Sequence, residues 1–227
     1  VYADWPKISR VLLAKLSRFS SYGTAMKKYI AELIGTFFLV YAVGHNVVGG
    51  NPLAPIGIGL ALALAVMIYA VGHISGGHLN PAVTVAVWLR GKCDTKDVVP
   101  YILCQVVGAV LAALAVAWLR GKAAAPADFV LSKLIVAEII GTFALAWVVL
   151  NTATTKANAN NSFYGAAIGL TVTMGAFAVG DISGAAFNPA VATGAVALNI
   201  LKGSQLWAYW VFCIAGGALA ASNYSGG

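Results

Sequence analysis

Charge is what this sequence has least of. Only 9% of its 227 residues are Asp, Glu, Lys or Arg, against 60% hydrophobic, and the mean hydropathy is +0.85. A soluble globular domain carries about 25% charged residues, so this chain falls outside that class and a bilayer is the expected solvent and partner. Cysteine is scarce as well. Cys93, Cys104 and Cys213 are scattered through apolar surroundings with no CxxC or metal-ligand spacing. An odd, dispersed count of this kind serves packing rather than disulfides or a metal. No nucleophile, base and orienting group stand at a recognisable spacing, so an enzyme is not expected, nor a cofactor. The net charge of +7 does not point to nucleic acid, because six of the fourteen Lys/Arg precede the first apolar run: Lys7, Arg10, Lys15, Arg18, Lys27 and Lys28. That is the positive-inside pattern of a cytoplasmic N-terminus. No cleavable signal peptide is visible before residue 29, and a start at Val1 rather than Met fits a trimmed or processed end.

Long apolar runs are what the chain has instead. Residues 1–27 form a basic segment in which Ile8, Val11, Leu12, Leu16 and Phe19 fall near helical spacing. Two readings stand side by side: an amphipathic helix lying on an anionic cytoplasmic leaflet, or a solvated basic arm or targeting remnant. From 28 to 227 the chain reads as one integral, all-α membrane domain, with spans expected near 29–49, 55–73, 97–119, 131–150, 163–180 and 205–222. Asn51, Pro52 and Pro55 punctuate the first connection, Arg90–Asp94 and Arg120–Lys122 are polar turns, and Asn158–Ser162 is a polar linker. Alternating sides from an inside N-terminus places ten Lys/Arg inside and four outside.

Three features recur in order. Ala31-Glu32-Leu33-Ile34-Gly35-Thr36-Phe37 returns as Ala137-Glu138-Ile139-Ile140-Gly141-Thr142-Phe143, an offset of 106. Val71-Gly72 returns as Val179-Gly180, and Asn80-Pro81-Ala82 as Asn188-Pro189-Ala190, both at 108. Such matches mark a duplication, with repeats at about 28–120 and 131–224. Each half holds three spans, an odd number, so the second half must be inverted relative to the first. Asn caps a helix and Pro suits its first position, so each triplet starts a helix. Residues 80–89 and 188–198 are too short to span and read as re-entrant half-helices whose positive N-termini meet at the midplane. Asn80 and Asn188 then present NH2 donors to a path lined by the carbonyls of Gly76, Gly77, His78, Gly184, Ala185 and Ala186. A narrow path of acceptors with two positive ends at its centre suits neutral hydrogen-bonding solutes and disfavours cations.

These residues resemble the aquaporin, or major intrinsic protein, family from about Lys28 to Ser222, most closely in the run Gly72–Thr84. The resemblance implies six tilted helices plus two half-helices, one pore per subunit carrying water or small neutral solutes, and a homotetramer. It places the outer filter at Leu60, Ala176, Ala185 and Val191. Val191 departs from the pattern, since family members usually carry Arg directly after the second triplet. A Leu/Ala/Ala/Val filter is wider and more apolar than the family's water or glycerol filters. Tyr209-Trp210 resembles the aromatic pair of water channels, and Ala192 stands where glycerol facilitators carry Asp. The expected function is a passive channel for water, with glycerol, urea and ammonia as further candidates. The alternatives are a channel mainly for other neutral solutes, a coupled secondary transporter, or a non-conducting scaffold.

Other polar residues admit a structural reading beside the functional one. Glu32 and Glu138 sit inside spans; their repeat-related positions favour holding loop N–H groups over relaying protons. His73 is expected to join them through a structural hydrogen bond, with gating by His73 or His78 as the alternative. Asp181, at the position matching His73, either pairs with Lys202 or another base or leaves a negative charge at the mouth. Gly35, Gly108, Gly141 and Gly216 fit close helix contacts, and Trp88, Trp118, Trp147 and Trp207 lie near span ends as interface anchors.

Overall fold

The computed structural model describes residues 5–49 and 56–224, with side chains for 23–49, 58–60 and 62–224. Asn51, Pro52 and Pro55, read as the first turn, lie outside the described residues, as do residues 1–4 and the side chains of the 8–19 segment. Among the described residues eight α-helices follow in order: α1 (Trp5–Gly49), α2 (Ile56–Ser75), α3 (Pro81–Leu89), α4 (Thr95–Arg120), α5 (Leu131–Ala153), α6 (Tyr164–Ser183), α7 (Pro189–Ala197) and α8 (Leu206–Ser222). Among the described residues there is no strand, only an isolated backbone bridge between Ala127 and Leu201.

Among the described residues six stretches are long and apolar enough to cross a bilayer: Gly23–Gly49, Ile58–Ser75, Thr95–Arg120, Leu131–Ala153, Tyr164–Ser183 and Gly203–Ser222. The chain is therefore an all-α, multi-pass membrane protein. Several of these stretches run past the apolar limits read from sequence, because helical hydrogen bonding continues into the polar interface. The helical backbone of α1 likewise runs without a break from the basic segment into the first span. The exterior is apolar in keeping with lipid contact: Leu62, Leu103, Leu114, Ile140 and Leu170 are each at least 60% exposed.

The packing carries an inverted repeat. α1 packs on α4 as α5 packs on α8, α1 on α2 as α5 on α6, α3 on α8 as α4 on α7, and α2 meets α6 across the centre. Two glycines set the closest pairs. A Cβ at Gly108 would strike the Leu33 carbonyl of α1, and one at Gly216 the Ile139 carbonyl of α5. Small residues at such crossings let backbones approach where lipid supplies no hydrophobic drive.

The ends of the bundle form two faces. On the α7 face, Ala123 and Ala127 donate backbone N–H groups to Leu198 and Ile200, and Lys202 pairs with Asp128 at 2.5 Å. On the α3 face, Lys28 and Tyr29 hold the two oxygens of buried Asp97 at 3.1 and 2.8 Å, and Arg90 lies over the Tyr224 ring.

Candidate functional site

The two short helices begin alike. Asn80 has extended backbone (φ −159°) and its Oδ1 accepts from Ala82 N at 2.8 Å, with Pro81 in the first turn. Asn188 (φ −157°) accepts from Ala190 N at 2.9 Å and Val191 N at 3.3 Å ahead of α7, with Pro189 in the first turn. The amides then cross over. Asn80 Nδ2 donates to the Phe187 carbonyl and Asn188 Nδ2 to the Leu79 carbonyl, each at 2.9 Å. An Asn amide has one carbonyl and two N–H donors. Each therefore caps its own helix, ties itself to the other loop, and keeps one donor to spare.

The loops before the triplets need outside support, because residues 76–79 and 184–187 lie outside the helices. Leu79 and Phe187 sit at φ +51° and +47°, a left-handed conformation that costs a bulky residue on the order of 1–2 kcal/mol. Two fully buried carboxylates oppose that cost. Glu32 accepts from His78 N and Leu79 N at 2.9 and 2.7 Å, from the Ser75 hydroxyl at 2.6 Å and from Gln105 Nε2 at 2.8 Å. Glu138 accepts from Ala186 N and Phe187 N at 3.1 and 2.7 Å, from the Ser183 hydroxyl at 2.7 Å and from the Cys213 thiol at 3.3 Å. The side chains of Leu79 and Phe187 fill the spaces left by Gly35 and Gly141, where a Cβ would collide with them. Tyr101 and Tyr209 hydroxyls close the frame by donating to the Ser75 and Ser183 carbonyls at 2.8 and 2.5 Å.

With their N–H groups turned toward the carboxylates and serines, these loops have carbonyls left over. Among the described residues, the carbonyls of Gly76, Gly77, His78, Gly184, Ala185 and Ala186 accept no hydrogen bond from the protein. All six residues, with Asn80 and Asn188, line one cavity of about 1390 Å³. Leu64, Ile68, Ile168 and Val172 make its opposite wall apolar. Its lining also includes Leu60, Ala176, Ala185 and Val191, which belong to one apolar cluster. Between its charged mouths the cavity therefore offers a stripe of acceptors and two donors among apolar side chains, an arrangement fit for a file of small hydrogen-bonding molecules.

One sequence expectation needs correction, and one open alternative narrows. His73 does not support the loop: it is exposed, lines the cavity, and its ring makes no hydrogen bond among the described residues. Ser75 takes that role, because two residues along a helix turn a side chain about 200° away. Asp181 does not pair with Lys202, whose ammonium is held by Asp128. His78 is buried against Thr84, with Nδ1 to the hydroxyl at 3.2 Å. Trp210 sends its indole N–H to Thr193 at 3.2 Å, and Tyr209 is buried in the frame. On the α3 face burial, reinforced by Asp97 and Asp94, pushes the Cys93 thiol up to about 11, so it is neutral at physiological pH.

Ser75, Ser183, Tyr101, Gln105 and Cys213 were the supports that sequence reading missed. The signal was present, since Ser75/Ser183, Tyr101/Tyr209 and Gln105/Cys213 are each 108 residues apart, the offset of the triplets.

Comparison with known proteins agrees with this fold. The family model described as Major intrinsic protein matches residues 19–224. Aquaporin Z of Photorhabdus laumondii is 38% identical, over 88% of this chain and 96% of its own length. Glycerol uptake facilitator protein-like 6 of Lactiplantibacillus plantarum is 36% identical, over 86% of this chain and 95% of its own. In fold, the structure resembles the aquaglyceroporin from Plasmodium falciparum with a TM-score of 0.78 at 21% identity, covering 88% of this chain and 95% of that one.

Proposed function

This chain belongs to the major intrinsic protein family, and from that premise we propose that it is a passive channel for water that also admits small uncharged solutes such as glycerol, urea and ammonia. The observation that carries the proposal is the accounting of hydrogen bonds at the centre. Asn80 and Asn188 each retain one free donor, and six loop carbonyls retain their acceptor capacity along the same cavity. A water molecule passing there exchanges its neighbours for these groups at little cost, and the two helix N-termini oppose any cation that follows. Glu32 and Glu138 serve as rigid loop holders, with all their short contacts directed at the frame.

The remaining assignments follow from the same reading. The excess of Lys/Arg on the α3 face supports a cytoplasmic N-terminus, so that α7 points outward. Four copies side by side in the bilayer, each with its own pore, are the expected assembly. The filter is formed by Leu60, Ala176, Ala185 and Val191, and the lack of any donor or fixed cation there favours a second reading in which neutral solutes other than water are the main cargo.

Proteoliposomes separate these readings. Osmotic shrinkage well above that of empty vesicles is expected, together with measurable glycerol and urea entry. Val191→Arg should leave water flux measurable and reduce glycerol and urea entry several-fold. An unchanged solute profile would remove Val191 from the filter, and no osmotic flux above empty vesicles would remove water as the cargo.

A further inference from the structure

The two mouths of the pore differ in a way the repeat does not require. Among the described residues, the side chains of unlike charge that line the cavity are Lys92 and Lys156 at the α3 mouth and Asp181 beyond the filter at the α7 mouth. The repeat-related position to Asp181 is His73. Asp181 follows Ala176 by five residues of α6, about 7.5 Å along the axis. The end of α6 is held in place, since the Ser183 hydroxyl is bound by Glu138 at 2.7 Å and its carbonyl by Tyr209 at 2.5 Å. No cation neutralises Asp181: the ion pairs among the described residues are Lys28–Asp97, Lys96–Asp94 and Lys202–Asp128. Beside the free carbonyls of Gly184 and Ala185, the side chains there are apolar, among them Phe129, Ile200, Leu201, Val191 and Leu60.

A carboxylate above a donor-free apolar funnel matches one ligand chemistry. We propose that the α7 mouth is a binding site for small amphiphilic cations, namely alkylguanidinium and alkylammonium ions. The head rests on Asp181 and the short tail enters the filter, plugging the pore. The proposal rests on the channel reading and on the filter assignment above. The cation stays at the mouth because the two positive helix ends at Asn80 and Asn188 bar its passage, and because the far mouth carries ammonium groups of its own. The missing basic residue at position 191 is what leaves the funnel open: an Arg there would occupy the tail's space and repel its head.

The test uses stopped-flow water flux in proteoliposomes at low salt, where an exposed ion pair is least screened. Guanidinium and its methyl, ethyl, propyl and butyl derivatives are the probes, butanol and butyrate the controls, and each variant's own uninhibited flux the reference. Block of the wild type should tighten about fourfold per added methylene. It should weaken by about tenfold in Asp181→Asn and vanish in Val191→Arg, with neither control blocking. Equal block of the wild type and Asp181→Asn, or no block of a conducting wild type, overturns the site. Calorimetric binding of butylguanidinium to the detergent-solubilised protein keeps the two readings apart. Asp181-dependent binding to a protein that passes no water supports the site while removing the channel reading, and no binding overturns the site whatever the flux.

Discussion

At the scale of single residues, the strongest constraints are two carboxylates that never reach the pore. Glu138 is fully buried and satisfies Ala186 N, Phe187 N and the Ser183 hydroxyl at once, while Phe187 sits at φ +47°. Removing the carboxylate strands those donors, and each buried donor left unpaired costs about 1–3 kcal/mol. Glu138→Ala should therefore destabilise the protein by about 3 kcal/mol or more, read as a large drop in the thermal midpoint of its helical circular dichroism in detergent. Glu138→Gln, which keeps one good acceptor, should fall between. A midpoint unmoved in Glu138→Ala would mean the loop holds itself. These acids were legible in sequence because an ionisable group inside a span must have partners, and because they recur together. Ser75 and Ser183 were legible only through their 108-residue spacing, since a serine among apolar residues gives no sign of which way it faces. His73 misled for the opposite reason: its chemistry suggested a hydrogen bond that its place on the helix denies.

At the scale of elements, the repeat made the architecture readable before any coordinate. Lengths separated spans from half-helices, and the odd number of spans per half required inversion. What sequence did not disclose was how the half-helices join, because the cross-bonds from Asn80 to Phe187 and from Asn188 to Leu79 link residues 107 and 109 positions apart. Helix spacing, by contrast, rests on glycines that were visible from the start. Gly216 lies against the Ile139 carbonyl and Phe143 N of α5, backbone atoms that cannot rotate away. Gly216→Ala should push α8 off α5 and cost about 1–3 kcal/mol. Gly180→Ala, with open space around its would-be Cβ, should be neutral or raise stability by up to about 1 kcal/mol through helix propensity. Parallel thermal unfolding of the two variants decides the matter; equal gains would show that the crossing tolerates a methyl group and that propensity alone governs both sites.

At the scale of the whole molecule, inversion brings the N-termini of α3 and α7 together, each worth roughly half a positive charge. No fixed cation stands in the proposed filter, where Leu60, Ala176, Ala185 and Val191 are all apolar, so exclusion of ions must come from the centre. A cation about 4 Å from the equivalent of one unit charge, at an effective dielectric of about 20, is opposed by about 4 kcal/mol, roughly a thousandfold in rate. That is enough without any help from the filter. Wild-type proteoliposomes held at a valinomycin-clamped potential should thus show proton flux, followed with a pH-sensitive dye, no greater than that of empty vesicles while their water flux is high. Val191→Arg should leave this proton flux unchanged even as it narrows the solute range. A wild-type proton leak that Val191→Arg closes would place the barrier in the filter instead. The paired helix ends would then account for water's orientation but not for the exclusion of charge.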